Sequence, residues 1–184
     1  AIGKDAGLAI TSGTLNVLIG HEAGSAIVDD DGNTALGYNA LKASTAGDGN
    51  TALGAYAMDA AITGSENTAV GAYALTSATG AMTSNTAVGV SALNFLNDVD
   101  SDGNVAVGHD AGKQYDASGV GSLIQATNCV LIGRSTKTSL GTTANPADNQ
   151  IVIGYNALGI GNNTIALGDT NITAIKGQVD FAAY

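Results

Sequence analysis

Residues 67–75 read Asn67-Thr68-Ala69-Val70-Gly71-Ala72-Tyr73-Ala74-Leu75, and residues 33–41 read Asn33-Thr34-Ala35-Leu36-Gly37-Tyr38-Asn39-Ala40-Leu41. The pattern Asn-x-apolar-apolar-Gly-x-x-Ala-Leu returns along the chain, the signature of a fold that stacks one small unit many times. Its glycine falls at positions 3, 20, 37, 54, 71, 89, 108, 133, 154 and 168, so successive separations are 17, 17, 17, 17, 18, 19, 25, 21 and 14. Three residues after the glycine stand Ala6, Ala23, Ala40, Ala57, Ala74, Ala92, Ala111 and Ala157; the residue just before it is always Ile, Leu or Val. Each turn of the fold therefore demands a small group in one place and a branched aliphatic in another.

A unit of about 17 residues is too short for a pair of helices. Its β-branched residues and its punctuation by Asp31-Gly32-Asn33, Asp48-Gly49-Asn50 and Asp102-Gly103-Asn104 suit strands joined by tight turns. The expected architecture is all-β, a parallel β-roll or β-solenoid of about ten short coils, each a strand-turn-strand. Nine steps of about 4.8 Å would make a rod of roughly 43 Å. The two residues preceding the glycine are both apolar in every unit, as in Ala35 with Leu36 and Val152 with Ile153. Strand neighbours point to opposite faces, so both faces call for burial. One coil has one interior, and the second face is most cheaply covered by the same column of another copy, predicting an obligate homo-oligomer.

Composition agrees with thin layers rather than one thick core. Twenty-six glycines stand beside two Phe, six Tyr and no Trp, leaving Ala, Val, Ile and Leu to fill the interior. Sixteen acidic against six basic residues give a net charge of −10, which disfavours nucleic acid and anionic membranes as partners. No apolar run approaches the roughly 20 residues of a membrane span, so insertion into a membrane is not expected. Cys129 is the single cysteine and forms no intrachain disulfide.

The repeated units resemble the shafts of bacteriophage tail fibres and tailspikes, and the related heads of YadA-like trimeric autotransporter adhesins, which are left-handed parallel β-rolls. The segment from Gly168 to Tyr184 is similar to the stretch that precedes an endosialidase-type intramolecular chaperone, a domain that trimerises its host and then cuts itself off. That resemblance implies a homotrimer located in the virion tail, outside cells, with Tyr184 as the end created by maturation. It implies attachment to a bacterial surface glycan or outer-membrane protein; the alternatives are an adhesin head on a bacterial surface and a fibre spacer that binds nothing. Read from its own alternation, the tail is a strand with Ile175, Val179 and Phe181 on one face, so residues 169–184 are expected to cap the repeat roll of 1–168.

Candidate sites are few. His21 and His109 each follow a marker glycine, a position that explains them without catalysis, and no Ser or Cys sits in a nucleophile setting. A glycosidase would need two carboxylates flanking a groove with aromatics, whereas the tyrosines read as scattered. The chain is thus expected not to be an enzyme and to need no cofactor. The one exception to weigh is calcium: Asp98, Asp100 and Asp102, followed by Gly103, have the spacing of a calcium loop, although His109 stands where an EF-hand places Glu and Asp-Gly-Asn already recurs as the ordinary turn. Thr34, Thr51, Thr68 and Thr86 share a column that could order water, but it continues as Val105, Val130, Ile151 and Ile165 and so records β-branching. The two longest spacings place protruding loops near 113–127 and 135–149, where Tyr115 and Asp116 are the candidate receptor contacts. Gly119-Val120-Gly121 and Gly159-Ile160-Gly161 lack a following helix or base and read as turns, not phosphate cradles.

Overall fold

The structure is a computed structural model, describing residues 1–43, 47–60, 63–76, 81–94, 101–113, 126–139 and 147–172. The chain is an all-β parallel solenoid. Strands β1 (Val17–Ile19), β2 (Thr34–Leu36), β3 (Thr51–Leu53), β4 (Thr68–Val70), β5 (Thr86–Val88) and β6 (Val105–Val107) stack in sequence order. The same sheet continues through β8 (Val130–Ile132), β10 (Gln150–Ile153) and β11 (Thr164–Leu167), giving nine strands. Every pairing is parallel and keeps the sequence columns aligned: Ala35 lies against Ala52, Ala52 against Ala69, Ala69 against Ala87. Between β6 and β10, β7 (Ala126–Thr127) and β9 (Ala147–Asp148) form a second, two-stranded parallel sheet at the inner margins of the two long insertions.

The expected strand-turn-strand unit is corrected in one respect. Among the described residues most units contribute one three-residue strand, and turns occupy the rest. The cause is left-handed backbone at fixed places. The residue five before each marker glycine has φ between 48° and 69° from Leu15 through Gly32, Ser84 and Asn128 to Asn163. The residue two after it, from Asp5 through Tyr73 to Asn156, also has positive φ. Bends at two fixed places leave little extended chain between them, and among the described residues a second strand forms only as the two-residue β7 and β9. The marker glycines hold close approach: a Cβ on Gly37 would come within 2.5 Å of the Gly54 carbonyl oxygen, and one on Gly71 within 2.5 Å of that of Gly89.

The interior is a stack of small and large groups that compensate one another. Ala35, Ala52, Ala69, Ala87 and Ala106 point inward from the strands and are fully buried, as is the alanine column from Ala23 to Ala157. Volume comes from Leu41, Met58, Leu75 and Leu93, all buried and all left-handed with φ of 50–53°. A bulky residue in that region costs about 1–2 kcal/mol, and burying its side chain contributes about 1.5–3 kcal/mol. In the first coil the arrangement is inverted: Leu18 points in from the strand and Gly24 stands at the left-handed place, where a Cβ would meet Leu18 Cδ2 at 2.7 Å.

Polar groups inside the stack are joined in a ladder. Asn33, Asn50, Asn67, Asn85 and Asn104 are all fully buried, one per unit. The Oδ1 of each of the first four accepts the backbone N–H of the next, at 2.9–3.0 Å, and Asn104 passes the ladder to Cys129 N–H at 3.0 Å. The amide groups of Asn67, Asn85 and Asn104 then donate to Met82, Ser101 and Ala126 carbonyls at 2.6–2.8 Å. Apart from the Asn33 Nδ2, which is enclosed without a partner, the ladder pairs the buried amides of these rungs, and it explains why the repeat begins with Asn.

Candidate functional site

Each three-residue strand has its middle residue buried and its flanking residues facing outward. The outer face consists of two columns. One is half-buried Thr34, Thr51, Thr68 and Thr86 followed by Val105, Val130 and Ile151. The other is aliphatic and open: Leu36, Leu53, Val88, Val107, Ile132, Ile153 and Leu167 are 36–43% exposed. Single exposed aliphatics are ordinary on protein surfaces, whereas an unbroken column of them marks a contact surface. Bordering it, Tyr38, Val90 and Tyr155 follow marker glycines and are exposed as well.

Beside that column runs an aromatic row which corrects the reading of the tyrosines as scattered. His21 stacks on Tyr38, Tyr38 meets Tyr56 edge-on, and Tyr56 stacks on Tyr73, each pair with centroids 5.2 Å apart. Ring positions one or two residues after successive marker glycines were the signal in the sequence; the coil pitch brings them into contact. The Tyr56 phenol is pushed up, first by desolvation and then by its hydrogen bond with Tyr38. Further along, the Arg134 guanidinium lies 5.8 Å from the Tyr155 ring centroid.

Charge is segregated around the coil. The described cations Lys4, Lys42, Lys113, Arg134 and Lys137 all stand one to five residues after a marker glycine. There Lys42 pairs with Glu22 at 2.5 Å, and Asp110 takes both Lys113 and His109. The Lys42 ammonium holds the Glu22 carboxyl below the usual range, and Glu22 raises Lys42 in turn. The opposite corner carries Asp29, Asp30, Asp31, Asp48, Glu66, Asp102 and Asp148, none of which enters an ion pair among the described residues. Asp31 Oδ1 accepts the Thr14 N–H and hydroxyl, and Asp48 Oδ1 accepts the Asp31 N–H at 2.8 Å.

The sequence-derived sites separate. Asp102 belongs to the turn ladder, its Oδ1 accepting the Thr83 N–H at 2.5 Å. Asp98 and Asp100 lie outside the described residues, as do Tyr115, Asp116, Tyr184 and the capping residues 173–184. No cluster of three metal-ligating side chains occurs among the described residues. Cys129 is fully buried at a ladder position, and burial raises its thiol pKa. Gly159 is packed so that a Cβ would strike Gln150 Oε1.

No family model, curated protein or solved structure matches this chain.

Proposed function

We propose that this chain is a structural and receptor-binding segment of a trimeric phage tail fibre or spike, carried on the virion tail, that attaches to a bacterial surface glycan or outer-membrane protein. The reading draws on the likeness of the Asn-Thr-Ala-x-Gly units to such fibres, and one observation carries it: the aliphatic column from Leu36 to Leu167, open at every strand but that of half-buried Val70, runs along the parallel sheet from β2 to β11. Three parallel copies around an axis would bring that column against itself and remove it from water, at about 25 cal/mol per Å² of apolar surface covered. Attachment then works through multivalency, three weak contacts on one rigid support giving avidity that none gives alone. The insertions at 113–127 and 135–149, with Tyr115 and Asp116, are assigned to receptor contact, and the segment performs no catalysis.

Light scattering tests the assembly. A mass near three times 18.0 kDa is expected, with Leu53→Lys reducing it to that of one chain while the circular dichroism of the β fold persists. A folded wild-type monomer would sink the trimer. Deleting 114–125 is expected to abolish adsorption to the host while leaving the mass unchanged; undiminished adsorption would reassign the chain as a spacer. If a chelator lowered the mass or the melting temperature, the turn ending in Asp102 would become a calcium site.

A further inference from the structure

Seven residues before the marker glycine, the units place Gly47, Gly64, Met82, Ser101 or Ala126, and the second unit alone places a carboxylate there, Asp30. Asp30 is 7% exposed. Its Oδ1 accepts the Gly47 N–H at 2.9 Å, and its Oδ2 is enclosed with no hydrogen-bond partner. An ionised carboxylate in such a place lacks the donors or counter-charge that burial requires. None arrives from the elements packed around it. Asp29 and Asp31 flank it, and the following coil brings Asp48. From the preceding coil, Asn16 gives its side-chain amide to the Asp30 backbone carbonyl at 2.8 Å, and Thr14 donates to Asp31 instead. The described cations stand one to five residues after a marker glycine, and none of them pairs with Asp30 or acts on its charge.

We propose that Asp30 is a proton-operated joint between the early coils, firm when the carboxyl is neutral and weakened when it ionises. The neutral acid keeps Oδ1 available to Gly47 and removes the charge from the unpartnered oxygen. Desolvation, followed at a distance by the three neighbouring carboxylates, pushes the Asp30 pKa up, against the Gly47 hydrogen bond. A carboxyl raised on folding contributes stability that is complete in acid and lost as pH climbs through its folded pKa. A metal ion is a poorer occupant than a proton, because the Oδ1 atoms of Asp31 and Asp48 are engaged by backbone N–H groups and the carboxylates do not converge.

The test compares thermal unfolding of wild type, Asp30→Asn and Asp29→Asn from about pH 8 to about pH 5. Asp30→Asn, neutral at every pH, is expected to melt about 2–4 °C above wild type at the upper end, the gap closing in acid, while exposed Asp29→Asn, which removes only a neighbouring like charge, recovers no more than a small part of that gap. In the unmodified protein, protection of the Gly47 amide against hydrogen exchange is expected to increase on acidification beyond the intrinsic pH effect. A pH-independent gap, the same gain from Asp29→Asn, or constant Gly47 protection would overturn the joint. So would calcium stabilising wild type but not Asp30→Asn at the upper pH, since the occupant would then be a metal.

Discussion

Strands β2 to β6 and strands β8, β10 and β11 belong to one sheet with one register, yet they fill the same places by different chemistry. In the first run the buried rung is always Asn, the inward strand residue is Ala, and bulk comes from Leu41, Met58, Leu75 and Leu93. In the second the rungs are Cys129 and Gln150, and bulk has moved onto the strand as Leu131 and Val152. Gln150 turns its Oε1 from the next rung to Ser139, accepting the N–H at 3.0 Å, while its Nε2 donates to the Ser139 hydroxyl at 2.7 Å and to Asn162 Oδ1 in the following coil at 3.3 Å. The outward column changes as well, from Thr in β2 to β5 to Val and Ile from β6 onward. The stack therefore fixes the volume of each layer and the pairing of each buried polar group, and leaves open which residue supplies them.

The largest expected effect comes from moving volume between the two solutions. Leu75→Gly should cost about 2–4 kcal/mol, a cavity partly offset by relief of left-handed strain. Adding Ala69→Leu, which copies Leu18 with Gly24, should recover a large part of that loss; denaturant titration of the single and double variants measures the coupling, and strict additivity would break the comparison. Next in size is the exchange of rungs. Asn67→Cys should lose about 1–3 kcal/mol, because it strips the Asn85 N–H and the Met82 carbonyl of their partners. The reverse substitution, Cys129→Asn, supplies an acceptor and should stay within about 1 kcal/mol of wild type in the same titration. The smallest effects lie on the outer face, where Thr68→Val and Val105→Thr should each change stability by less than about 1 kcal/mol. If the proposed trimer covers that face, apolar groups are favoured there, and Thr68→Val should slow subunit exchange while Val105→Thr hastens it, as followed by mixing labelled chains.

Much of this was legible in advance. The recurring Asn-x-apolar-apolar-Gly named the strands, their parallel order and their register, because a stack repeats its columns at every layer and a sequence records columns directly. Paired apolar residues such as Ala35 and Leu36 announced two apolar faces, both calling for burial, one of them the interior. Left-handed Leu and Met were not legible, since nothing local marks a bulky residue for positive φ and only the surrounding packing offsets its strain. The aromatic row and the charge segregation were hidden too: each depends on which residues 17 or 18 apart meet, a matter of coil pitch. The sequence by itself determined the repeat, the parallel β class and the columns that must be small, branched or amide-bearing. Only the tertiary structure decided that most described units turn instead of forming a second strand, that Asp30 is enclosed without a counter-charge, and that the Leu36 to Leu167 column stays open. Those outcomes depend on what neighbouring coils place around a residue, and a single unit read alone does not contain its neighbours.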